Sequence, residues 1–259
     1  MLTIYTTFRD FSTERINDIQ RNAVQSWLEL KPTPEIMVMG NEPGSQEICE
    51  EFGLRYIEVE VNEFGTPMLK DMMEKAEELA SNEYIALVSG DIVLLQDVIS
   101  SLNALKSMDM FLGVGIKKDN PRINGDLVHQ NNWAEFAKSL LVSSVPTSGD
   151  FFMYRKGFLK AMPEMPPFAI GRCRCDSWLV YHAYKAGFLV NVTDSTTIIH
   201  QYHDHSHVKR FNGMSPELMN NRAFGDETIG ARMDNANWKL TADHQLQENK
   251  NFYVTTMKI

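Results

Sequence analysis

The feature that most constrains this chain is a rhythm in its N-terminal part, where short unbroken apolar runs alternate with stretches of helical period. "LTIYTTF" (Leu2 to Phe8) is rich in β-branched and aromatic residues and predicts a strand. Ser12 or Thr13 then caps a helix reaching about Leu30, because Ile16, Ile19, Ala23, Trp27 and Leu30 share one helical face. Pro32 and Pro34 end it. "EIMVMG" is a second apolar strand, "SQEICEEFG" a short helix stopped by Gly53, and "RYIEVEV" an alternating third strand. In "FGTPMLKDMMEKAEELASN", Thr66 is an N-cap candidate and Pro67 suits the first helical position. Met68, Leu69, Met72, Met73, Ala76 and Leu79 form its apolar stripe, which reads as core. "YIALV" is a further strand, followed at once by "SGD" and "IVLL". Strands buried on both faces and separated by helices define an α/β protein, with a mostly parallel central sheet flanked by helices.

After about residue 110 the rhythm changes. "MFLGVGI" predicts a strand and "NWAEFAKSLLV" a helix. After "DFFMYRKGFL" and the loop "PEMPPFAIGRCRC", the helix "DSWLVYHAYKAG" has Asp176 at its start and Gly187 as its stop. "FLVNVTDSTTIIH" is a last strand region that delivers the chain to the histidines. The polar remainder predicts a wrapping segment or lid over 206–259, outside a single domain of 1–205. The net charge of -9 excludes a nucleic-acid surface, which needs clustered Lys and Arg. No apolar run is long enough to span a membrane. Cys49, Cys173 and Cys175 give no disulfide framework, and the N-terminus lacks the pattern of a secretory leader, so a cytoplasmic protein is expected.

Four candidate sites carry chemistry. Asp91, after "YIALV" and beside the small Ser89 and Gly90, stands where open α/β sheets bind ligands, at a strand's carboxyl end. It has room for a diphosphate and a divalent metal, although Ser-Gly-Asp is also common turn chemistry. Asp176 reads equally as a helix cap or as a general base. Cys173 and Cys175 make one C-x-C, for which reduced, non-ligating thiols are the better reading. In "IIHQYHDHSH", His200, His203, His205 and His207 offer imidazoles suited to zinc, manganese or iron, with Asp204 among them.

The order of these pieces resembles the GT-A nucleotide-sugar glycosyltransferases, particularly a glycosyltransferase family 2-like group. The resemblance runs through "NAVQSWLEL", "EIMVMGNEPG", "FGTPML", "YIALVSGDIVLL", "SGDFFMYRKG", "PPFAIGRCRCDSWLV" and "TIIHQYHDHSH", and spans nearly the whole chain. It implies a GT-A, Rossmann-like fold, with 1–110 binding a UDP- or GDP-sugar and 111–205 facing a glycan or other hydroxyl acceptor. Donor binding would fall to Thr6, Thr7, Arg9, Asn41, Glu42, Gly65, Thr66, Ser89, Gly90 and Asp91. Asp91 is similar to the last carboxylate of the family's D-x-D metal motif, with Ser89 in place of the first. The resemblance then implies Mn²⁺ or Mg²⁺ held by Asp91 with His200 or His203, Asp176 as catalytic base of an inverting transfer, Asp150 facing the acceptor, and Arg172 on phosphate or acceptor. Two other readings compete: a metallo-hydrolase built on the histidines, and a non-catalytic nucleotide-sugar or glycan-binding protein.

Overall fold

The unbroken apolar runs fold as strands because each has two buried faces to fill. In the computed structural model the chain begins β1 (Leu2–Thr6), α1 (Glu14–Leu28), β2 (Glu35–Met39), α2 (Ser45–Phe52), β3 (Arg55–Ile57), α3 (Leu69–Leu79), β4 (Tyr84–Val88), β5 (Ile92–Leu94) and α4 (Asp97–Leu105). It continues β6 (Leu112–Val114), β7 (Lys118–Asn120), α5 (Trp133–Lys138), β8 (Val142–Ser143), β9 (Phe151–Arg155), α6 (Cys175–Ala186), β10 (Leu189–Asn191), β11 (Ile198–Gln201), α7 (Pro216–Gly225), β12 (Trp238–Leu240) and β13 (Leu246–Glu248). The structure describes residues 1–11, 13–121, 123, 125–139, 141–143, 149–201, 203, 215–225 and 236–249.

Nine strands form the central sheet in the order β13-β12-β10-β6-β9-β4-β1-β2-β3. Most of its pairs are parallel; β9 runs antiparallel to both β4 and β6, and β13 to β12. Alternate residues fill opposite faces. Leu2, Ile4, Ile36, Val38, Ala86 and Val88 pack with Ala23, Val24 and Trp27 of α1 and with Val98 and Leu102 of α4. Tyr5, Met37, Met39, Ile85 and Leu87 pack on the other face with Met72 and Met73 of α3 and with Trp178 and Leu179 of α6. The methionine stripe is therefore core. From β1 the order leads one way to β2 and β3 and the other way to β4, so the carboxyl ends of β1 and β4 meet at a topological switch point, where such sheets bind ligands.

A second, smaller sheet runs β5-β11-β7-β8. In β11, His200 lies opposite Ile92 of antiparallel β5 and opposite Asp119 of parallel β7. A buried polar network fixes that register. The Gln201 amide donates to the Ile19 carbonyl of α1 at 2.8 Å and accepts from Asn22 Nδ2 at 3.0 Å. Asn22 also accepts from the Leu127 N–H at 2.8 Å, and the Gln201 N–H reaches the Asp91 carbonyl at 3.2 Å.

Several expectations hold and several change. Thr13 caps α1, its Oγ1 accepting from the Ile16 N–H; the helix stops at Leu28, yet Leu30 remains buried. Gly53 and Gly187 end α2 and α6 in left-handed conformation. Thr66 does not cap α3: Pro67 and Met68 make β-bridges to Val61 and Ala169, so the helix starts at Leu69, and Asn62 Oδ1 takes the Thr66 N–H. The third strand is three residues long, α5 is shorter than "NWAEFAKSLLV", and Asp176 lies inside the first turn of α6 after a left-handed Arg174. "FLVNVTDSTTIIH" splits into β10 and β11, which serve different sheets. "DFFMYR" becomes central strand β9, and the polar C-terminal region supplies α7 and an edge hairpin, β12–β13, on β10. Ser12, Asp204, His205 and His207 lie outside the described residues. Among the described residues no helix is long and apolar enough to cross a membrane.

The Gln201 network predicts a stability effect away from any chemistry. Gln201→Met keeps the side-chain volume but leaves Asn22 and the Ile19 carbonyl short of partners. It should lower unfolding stability by about 1–3 kcal/mol, read as a lower urea midpoint at unchanged m-value.

Candidate active site

The site starts where β1 and β4 end. Gly90 is required there by close approach: a Cβ would lie 2.8 Å from the Phe8 ring and 3.1 Å from the Thr7 carbonyl oxygen. Thr6 is fully buried, and the Thr7 hydroxyl is a buried oxygen with no hydrogen-bond partner among the described residues. The next residue, Asp91, leads into β5, which crosses to the second sheet. That crossing brings Asp91 beneath β11.

One ligand atom each from Asp91, His200 and His203 lies within 4.8 Å of the others. His203 Nε2 is 2.8 Å from Asp91 Oδ2, and His200 Nε2 is 3.4 Å from the same oxygen. The second oxygen, Oδ1, is buried with no hydrogen-bond partner among the described residues. His200 Nδ1 is 2.7 Å from Asp119 Oδ1, and Arg9 Nη1 is 3.1 Å from His203 Nδ1. Arg9 is itself held through its backbone, whose N–H and carbonyl both bond the Gln20 amide. Burial pushes the Asp91 carboxyl up, but hydrogen bonds and charge from His200 and His203 outweigh it and hold the carboxyl well below its usual range. Burial works to lower the His200 imidazole, and Asp91 and then Asp119 overcome it, so its pKa is raised.

A second group adjoins the first. The Ser89 N–H donates to the Asp150 carbonyl at 3.0 Å, continuing the β4–β9 ladder by one rung, and Ser89 Oγ donates to Asp150 Oδ1 at 3.3 Å. Lys117 Nζ stands 2.6 Å from Asp150 Oδ2. Burial works to lower the Lys117 ammonium; Asp150, and then Asp91 and Asp119, raise it. Asp176, partly buried, accepts from the Ser177 N–H at 2.8 Å. Its carboxyl is raised, chiefly by burial and further by Asp150, against backbone hydrogen bonds that pull it down.

The third group surrounds the 62–66 turn. Gly65 takes a left-handed conformation, Arg172 donates to Thr66 Oγ1 at 3.1 Å, and Arg172 Nε pairs with Glu217 Oε2 at 2.9 Å. Asn62 Nδ2 donates to Glu217 Oε1 at 2.8 Å, tying α7 to the turn. Asn41 is exposed; Glu42 is half-buried, and its carboxyl is raised by burial and by Asp10 while Arg172 opposes the rise. Cys175 is buried and donates to the Arg172 carbonyl at 3.1 Å; burial pushes its thiol well up, which suits a non-ligating thiol.

Sequence reading did not single out Asp119, Lys117 or Glu217. Asp119 and Lys117 sit in a polar stretch without periodicity, and Glu217 reaches its partners from a helix far along the chain.

No family model matches the chain, and no curated protein matches it. Solved structures do. The crystal structure of S. aureus TarS 1-349 in complex with UDP-GlcNAc superposes with a TM-score of 0.52 at 14% identity, over 80% of this chain and 60% of that one. The crystal structure of GalNAc-T7 with UDP, GalNAc and Mn²⁺ gives a TM-score of 0.57 at 14% identity, over 86% of this chain and 47% of that one. The chain thus spans less than two thirds of either neighbour. The fold is GT-A-like, with a mixed, mostly parallel sheet flanked by helices.

The partly buried Arg172–Glu217 pair has a structural duty that can be measured apart from any ligand. Arg172→Met leaves the Glu217 carboxylate with neutral partners such as Asn62 alone and should cost about 1–3 kcal/mol, part of it recovered when Glu217→Met is added. Urea unfolding of both single variants and the double variant measures the coupling.

Proposed function

We propose that this chain is a glycosyltransferase that moves a sugar from a nucleotide-diphospho-sugar to an acceptor hydroxyl. The observation that carries the reading is the convergence of Asp91, His200 and His203 at the switch point of a GT-A-like sheet. The neighbours support it, TarS having been crystallised with UDP-GlcNAc and GalNAc-T7 with UDP, GalNAc and Mn²⁺.

The residues present fit a divalent cation. Asp91 keeps one buried carboxylate oxygen, Oδ1, without a hydrogen-bond partner among the described residues, and two imidazole nitrogens lie against the other, Oδ2. One carboxylate with imidazole suits Mn²⁺, with Mg²⁺ the harder alternative. Asp91 with His200 or His203 would hold the ion, and its chemistry is to neutralise charge on the departing diphosphate. Around it, the donor lies across the ends of β1 and β4, against Thr6, Thr7, Arg9, Ser89 and Gly90. Asn41, Glu42, Gly65 and Thr66 would extend the donor site, with Arg172 beside Thr66.

Asp176 is the base. Its raised carboxyl pKa brings it nearer to neutrality, where proton acceptance from a hydroxyl is efficient. The Ser177 N–H fixes its orientation. Asp176 takes the acceptor proton while the oxygen attacks the anomeric carbon in line, which inverts configuration. Asp150 faces the acceptor beside it. α7 is tied to the 62–66 turn through Glu217. The three unpaired cysteines suit a cytoplasmic setting.

A thermal-shift screen of UDP- and GDP-sugars with and without Mn²⁺ tests the donor site. Metal-dependent stabilisation lost in Asp91→Ala is expected; no shift with any donor overturns the reading. Donor hydrolysis without transfer points to the metallo-hydrolase, and saturable binding without turnover to a binding protein. Asp176→Asn should keep donor binding and lose transfer by at least about 100-fold; full transfer removes Asp176 as base.

The same variant has a stability signature with a definite sign. A carboxyl whose folded pKa is raised destabilises the fold once the pH exceeds that pKa, and contributes nothing below its unfolded pKa, about 4. Asp176→Asn should therefore melt at the same or a higher temperature than wild type at pH 7. The difference should shrink as the pH falls toward about 4, followed by differential scanning fluorimetry across pH.

A further inference from the structure

The two imidazoles that face Asp91 are not equivalent. His200 is the middle residue of a three-strand arrangement in which β11 sets it opposite Asp119 of β7. Asp119 Oδ1 lies 2.7 Å from His200 Nδ1. A carboxylate only accepts, so Nδ1 carries a proton; Nε2, 3.4 Å from Asp91 Oδ2, shares a proton with that oxygen and presents its lone pair once a cation displaces that proton. This is the arrangement in which a carboxylate behind a histidine fixes ring orientation and tautomer for a metal on the other nitrogen.

His203 is wired the other way. Arg9 Nη1 lies 3.1 Å from its Nδ1, and a guanidinium only donates, so Nδ1 is the accepting nitrogen. The ring proton then sits on Nε2 and is donated to Asp91 Oδ2 at 2.8 Å. In that state His203 holds the carboxylate in place and has no lone pair for a cation. Asp91 Oδ1 is buried and keeps no hydrogen-bond partner among the described residues.

We propose that Asp119 is the positioning residue that selects His200, rather than His203, as the imidazole ligand of the divalent cation at Asp91. The assignment rests on the metal-assisted reading above. It adds a division of labour: Asp91 and His200 ligate, Asp119 aims His200, and His203 with Arg9 braces Asp91. The strand register builds this in, since a slip of one residue would bring Lys118 or Asn120 opposite His200 in place of Asp119.

The test uses the full chain and Mn²⁺ alone, without nucleotide. Affinity is read by electron paramagnetic resonance titration, and nitrogen ligation by electron spin echo modulation from ¹⁴N. Wild type should bind Mn²⁺ with ¹⁴N modulation. His200→Gln should lose the modulation. His203→Gln, whose amide still donates to Asp91, should keep the modulation and most of the affinity. Asp119→Ala should weaken Mn²⁺ binding by about 10–100-fold, and Asp119→Asn, which retains an accepting oxygen, should recover most of that loss. Modulation lost in His203→Gln, whether alone or together with His200→Gln, overturns the division of labour. Wild-type affinity in Asp119→Ala overturns the positioning role. A wild-type protein that binds no Mn²⁺ at all fails the metal-assisted reading itself, and that result is distinct from either variant outcome.

Discussion

The candidate site depends on one constraint, the register of β11 between β5 and β7. Because β11 pairs antiparallel with one neighbour and parallel with the other, a single residue, His200, faces both Ile92 and Asp119. Ile92 directly follows Asp91, so the same register brings the carboxylate to the imidazole. Side chains alternate along a strand, and a slip of one residue would turn His200 away and present a neighbour instead. The protein secures the register from behind: Gln201, fully buried, bonds α1, Asn22 and the Asp91 backbone. A buried network with every member satisfied specifies one arrangement strongly, because each alternative leaves polar groups stranded.

Electrostatics explain why this arrangement tolerates so many charges. Asp91, Asp119 and Asp150 converge with Lys117, Arg9, His200 and His203, and no carboxylate among the three stands without a basic neighbour. Removing a charge from water is costly, and the penalty is met here only by paired, hydrogen-bonded partners. Asp176 is the exception. Its contacts are backbone N–H groups and the like charge of Asp150, so its carboxyl rises while that of Asp91 falls. Acids pushed in opposite directions are what the proposed division of roles needs, one carboxylate kept ionised and one able to exchange a proton.

The legible parts of the molecule were those written locally. Apolar runs and helical stripes gave the sheet and its flanking helices, the strand end gave Asp91, and the histidine cluster gave His200 and His203. What could not be read is set by contacts between distant segments. Lys118–Asn120 has no apolar periodicity, and Asp119 acquires meaning only through a residue 81 positions later. Thr66 looks like a helix cap by every local rule, but bridges from Pro67 and Met68 to Val61 and Ala169 hold the chain extended for two more residues. "DFFMYR" is a central strand because its two neighbours, β4 and β6, leave a gap for an antiparallel partner, which no local pattern announces.

Ser89 stands where the resemblance would have a first carboxylate, and the fold supplies a reason why the position works without one. An acidic oxygen is present, that of Asp150 on β9, 3.3 Å from Ser89 Oγ, but Lys117 already neutralises it. A divalent cation held by one carboxylate and neutral imidazole would keep one net positive charge, whereas two carboxylates would cancel it. Arg9, beside His203, adds to the same field. A site of residual positive potential in a partly buried cleft attracts a diphosphate more strongly than a neutral one. On the proposed reading, histidine in place of a second carboxylate would exchange some affinity for the ion in favour of affinity for the anion beside it.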